Sequence, residues 1–104
     1  MEEGSRNQFL VSEDFEWDSY KAEANLHKHG VSFGEAATVF ANLLAVDRPD
    51  PDHSQGESRF ICIGRSYVDR LLVVAYAERG DRIRIISARV AEPRERRDYE
   101  RPEP

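Results

Sequence analysis

Cysteine is almost missing from this chain. Cys62 is the only one in 104 residues, so no disulfide can form within it. Long apolar runs are missing too: nothing approaches the roughly 18 consecutive apolar residues that a membrane helix needs. The opening MEEGSRNQ has no apolar segment of the signal-peptide kind. These absences predict a protein of a reducing, cytoplasmic setting with no membrane partner. Paired metal-ligand spacings are also absent. His27, His29, His53 and Cys62 show none, so no metal and no other cofactor is expected, and Cys62, alternating with apolar neighbours, reads as a core residue. Internal repeats and low-complexity tracts are missing as well.

What is present is one domain's worth of chain, enough for a single modest core. Residues 1–12 are polar and aperiodic and read as a flexible tail, leaving 13–104 as the domain. The net charge of −5 conceals a split. Residues 1–58 hold 4 basic and 12 acidic side chains, whereas residues 59–101 hold 11 basic and 7 acidic ones, and all 11 are arginine. A guanidinium grips phosphate or carboxylate as a planar fork, which an ammonium cannot do. Halves of opposite sign point to a polyanion site or an acidic partner surface; the alternative is a set of solvated faces.

Local signals lay out the elements. FEWD (15–18) reads as a short strand, with Asp18 placed to cap the helix SYKAEANLHKH, which stops at Gly30. In VSFGEAATVFAN, Ser32 and Glu35 have capping-box spacing, Val31 is placed to staple onto Ala36, and Ala36, Val39 and Phe40 share a helical face. LLAVD (43–47) is expected to begin the sheet, and RPDPDHSQGES is a loop. RFICIGRSY, LLVVAYA and RIRIISARV then read as three strands with links short enough to require antiparallel neighbours. EPRERRDYE offers Pro93 at the first position of a short charged helix. The expected class is α+β: a small antiparallel β-sheet, a meander, with two N-terminal helices packed on one face and a short C-terminal helix.

In RIRIISARV, strict alternation is broken by the pair Ile85 and Ile86. One bulge there would turn both isoleucines toward the core and set Arg82, Arg84, Ser87 and Arg89 on one open face.

Four segments in series, FEWD, NLHKHGVSFGEAATVF, DPDHSQGESRFICIGRS and YAERGDRIRIISAR, resemble the BrnT toxins of type II toxin–antitoxin pairs. The resemblance spans about residues 13–100. It implies a RelE-like fold and metal-independent RNA cleavage that halts translation. It also implies a BrnA-like ribbon-helix-helix antitoxin that neutralises the toxin in a 2:2 complex and provides the only link to operator DNA.

Metal-free cleavage of RNA requires a base for the 2′-OH, an acid for the leaving oxygen, and positive charge for the phosphorane. On this reading Glu78, at a strand end, is the candidate for the base or for orienting the 2′-OH, with Arg82 and Arg65 as catalytic cations. Arg79, Arg84 and Arg89 are RNA-binding candidates. Lys28 and His29 suit proton transfer or phosphate contact, although cations at a helix C-terminus also favour its dipole. His53 reads as a turn residue, Glu57 and Arg59 as a brace for the loop, and some arginines as partners of Asp69, Asp81 or Glu78. The other class of function is a non-catalytic protein that binds an antitoxin and modulates its DNA binding.

Overall fold

The computed structural model describes residues 14–50 and 57–101. The proposed tail 1–12 and His53 lie outside them. Asp18 caps the first helix, α1 (Ser19–His29), accepting the amides of Tyr20 and Lys21 at 2.8 and 3.1 Å. Gly30 ends it at φ 69, a left-handed conformation that glycine adopts without a Cβ clash. Ser32 caps α2 (Phe33–Thr38), which passes into a 3-10 turn, Val39–Ala41. Only half of the expected capping box forms. Ser32 Oγ accepts the Glu35 amide, but the Glu35 carboxylate turns to Arg70 and Ser66.

The sheet has five strands: β1 (Phe15–Glu16), β2 (Val46–Pro49), β3 (Arg59–Arg65), β4 (Leu71–Arg79) and β5 (Arg82–Val90), in the order β1-β5-β4-β3-β2. β2 to β5 pair antiparallel in succession, as short links demand. The wholly antiparallel sheet is nevertheless corrected. β1 lies parallel to β5, with Phe15 beside Ile83, so the sheet is mixed. Both helices and three strands separate β1 from β5 in the chain, and no turn length constrains their direction. The bulge stands where the isoleucine pair predicts: Ala75 pairs with Ser87 and Tyr76 with Ile85, leaving Ile86 over.

α1 and α2 cover one face of the sheet. Phe33, Val39, Leu72, Val74, Tyr76 and Ile85 form the core there, with Cys62 at 1% exposure. Burial, helped by Asp47, pushes the Cys62 thiol up to about 12, so it stays a neutral packing group. Gly64 lets the 3-10 turn approach, since a Cβ there would stand 2.8 Å from that of Ala45 and 3.0 Å from Val39 Cγ1. Asn25, buried in α1, completes the edge of β5 beyond β1. Its amide donates to the Ala88 carbonyl at 2.8 Å and accepts the Ala88 N–H at 3.1 Å.

The third helix, α3 (Pro93–Glu100), packs on the opposite face, where Leu71, Val73 and Ala91 meet Ile61, Ile63 and Tyr99. Helices therefore lie on both faces, and the arginine face is covered at one end. Tyr99 spends its hydroxyl on the Leu44 carbonyl at 2.9 Å.

Candidate functional site

Residues directly opposite each other on paired strands share a face, so the register sorts the arginines. Arg79 stands across from Arg82. Ala77 is flanked by Arg84 on β5 and Arg59 on β3, and Ala75 by Ser87 and Ile61, with Arg48 beyond Ile61 on β2. Further along, Arg89 pairs with Val73, and Arg65 with Leu71. Seven arginines thus share the face turned away from α1 and α2. Between Arg59 and Arg84 lies a floor of small side chains, roughly 10 Å across two strand spacings.

The two ends of this face differ. Under α3, Arg89 grips both oxygens of Glu95 at 2.8 Å each, and Arg65 meets Glu100 at 3.0 Å and Asp69 at 3.7 Å. The Arg89 guanidinium holds the Glu95 carboxyl down at about 2. These two arginines are committed to carboxylates, which corrects the expectation of an open row running from Arg82 to Arg89. At the β4–β5 turn the cations are nearly unmatched. Arg84 Nε lies 3.9 Å from Glu16, Arg82 reaches only the Phe15 carbonyl at 3.3 Å, and Arg79 has no partner among the described residues.

The remaining candidates do not converge on that end. Glu78 pairs with Ile83, whose side chain packs into the helix-side core, so Glu78 faces away from Arg79, Arg82 and Arg84. Lys28 and His29 end α1, and the adjoining Gly30 carbonyl accepts Arg70 Nη2 at 3.0 Å beside the β3–β4 turn. The nine residues of β4 separate that turn from the arginine end by roughly 26 Å. Arg65 lies on the arginine face but also at the β3–β4 end. A single site joining Glu78, Arg82, Arg65, Lys28 and His29 is therefore not assembled by this fold.

Lys21, not among the sequence candidates, and Glu57, read there only as a brace for the loop, reach the arginine end. A cleft of about 50 Å³ is lined by Asp18 and Lys21 from the start of α1, Glu57 and Arg59 from the entry to β3, and Arg84 with Ile85 and Ile86 at the bulge. The one signal in the sequence was the Asp18 cap, which sets Lys21 one turn inside α1 and next to β1. Glu57 comes close only because β3 lies two strands from β5.

The sequence and the fold have counterparts among known proteins. Over residues 17–95 the chain matches the family described as ribonuclease toxin, BrnT, of type II toxin-antitoxin system. It is also similar to the crystal structure of the ribonuclease toxin BrnT of Brucella abortus, at 25% identity and a TM-score of 0.58, covering 73% of this chain and 92% of that one. No curated protein sequence matches it. The fold and the family match together define a ribonuclease toxin of the type II toxin–antitoxin class, a class that implies an antitoxin partner. Within that class the chain belongs to the BrnT family.

Proposed function

We propose that this chain cleaves single-stranded RNA in the cytoplasm without a metal ion, holding the backbone on the arginine end of the sheet. The carrying observation is that Arg79, Arg82, Arg84 and Arg59 share one face in a chain of net charge −5. The register sets Arg79 and Arg82 directly opposite each other, a like-charge pairing that costs stability unless an anion lies between them. Such a patch creates a strong local field whatever the total charge. Arg82 and Arg84 contact the phosphates at and beside the cut, and Arg79 holds the next one. Arg65 and Arg89 brace α3. Glu78, Lys28 and His29 stand away from the RNA path. A BrnA-like ribbon-helix-helix antitoxin covers the arginine end, joins two toxins into a 2:2 complex and alone touches operator DNA.

The test is incubation of the purified chain with single-stranded RNA in EDTA. Cleavage is expected to persist, and Arg82→Ala to slow it by about a hundredfold. Intact RNA at micromolar enzyme would end this reading.

A further inference from the structure

Resting on that ribonuclease reading, we propose that the cleft between the start of α1 and the entry to β3 seats the scissile phosphate, with Glu57 as base and Lys21 as acid. Its volume of about 50 Å³ has room for a few waters, hence for one tetrahedral anion. Three cations line it, Lys21, Arg59 and Arg84, against two carboxylates. One of those, Asp18, is occupied by the helix cap it makes with the Tyr20 and Lys21 amides. Glu57 is the carboxylate that remains. Among the described residues, no ion pair holds either Glu57 or the Lys21 ammonium. The β5 bulge at Ile86 forms part of the wall, and bulges recur beside active sites because they re-aim a strand. Arg84 provides continuity: it lines the cleft and belongs to the open cationic face.

The chemistry balances within this set. The Glu57 carboxylate takes the proton of the 2′-OH, and the resulting oxygen forms a bond to phosphorus. The bond from phosphorus to the 5′-oxygen breaks, and that oxygen takes a proton from Lys21. The products are a 2′,3′-cyclic phosphate and a free 5′-OH, with no water or metal consumed. Arg84 and Arg59 bear on the phosphorane oxygens as charge builds there. Glu16, the register partner of Arg84, lies 3.9 Å from Arg84 Nε, where it serves as a counter-ion to that guanidinium.

Single-turnover cleavage by the full-length chain distinguishes these roles, using ordinary RNA and RNA with sulfur in place of the leaving 5′-oxygen, a group that needs no proton. Glu57→Gln is expected to be slow on both substrates by about a hundredfold or more, with RNA affinity kept within about twofold. Lys21→Met is expected to be slow on ordinary RNA and to recover on the sulfur substrate. Both side chains stand outside the core, and an unchanged melting curve verifies folding. If the wild-type chain cleaves RNA while Glu57→Gln stays within threefold of it, the cleft assignment is overturned and the ribonuclease reading stands. Lys21→Met that stays slow on the sulfur substrate overturns the role of the acid. A wild-type chain that leaves RNA intact overturns both readings.

Discussion

Arg79 and Arg82 stand directly opposite each other across the β4–β5 turn, joined by Gly80 at φ 62 and Asp81. Two guanidiniums in that position repel, so removing one should not weaken the fold. Arg79→Ala is expected to leave unfolding free energy within about 0.5 kcal/mol of wild type. It should weaken binding to a non-cleavable 2′-O-methyl RNA and lower the salt slope by about 0.7, as expected when one fewer phosphate of a single strand is neutralised. A binding titration over a range of NaCl concentrations checks this.

Glu35 and Arg70 clamp α2 to the β3–β4 turn. Glu35, 9% exposed, accepts two bonds from the guanidinium and a third, at 2.7 Å, from Ser66 Oγ. Arg70 is partly exposed, which weakens its share of the pair. Glu35→Gln is expected to cost about 2 kcal/mol, read as a lower urea midpoint, with RNA affinity unchanged.

Glu95 sets a pH dependence. Its carboxyl titrates near 2 in the folded chain because Arg89 holds it ionised, against roughly 4.3 when unfolded. The resulting stabilisation is fully present above about 4.3 and is lost as pH falls toward 2. Glu35, also lowered mainly by its hydrogen bonds from Arg70, adds to the same acid limb. Glu95→Gln is expected to flatten the fall in melting temperature across that window while leaving the chain less stable at pH 7.

Asn25 is the only buried residue of α1; two of its hydrogen bonds tie that helix to Ala88 at the edge of β5, and a third reaches the Val31 carbonyl ahead of α2. Asn25→Leu leaves the Ala88 N–H and carbonyl without that partner in a buried place. A loss of about 3 kcal/mol is expected, together with faster amide exchange at Ala88. Gly64→Ala provides a contrast: it overpacks the 3-10 turn by one methyl and is expected to cost about 1–3 kcal/mol.

Much of the local structure was legible in the sequence. Asp18, Ser32, Gly30 and Pro93 act within a few residues of themselves, and their side chains and φ preferences set the helix ends wherever the helices pack. The bulge was legible because two adjacent isoleucines cannot both face a core on a regular strand. The position of Glu78 was also open to reading. It precedes Arg79 on one strand, so the two side chains must take opposite faces. The attraction of placing a carboxylate beside arginines close in sequence obscured that simple alternation.

By itself the chain determined where its helices begin and end, which strands are hairpin neighbours, and that the arginines of β5 would share one face, since all of these follow from short-range sterics and a period of two. Tertiary structure alone decided that β1 joins the far edge in parallel, that α3 closes over Arg65 and Arg89, and that Lys21 and Glu57 meet at Arg84 while Lys28 and His29 end a strand's length away. Those outcomes depend on contacts between residues tens of positions apart. Their geometry is set by how the layers bury apolar area together, which no local pattern encodes.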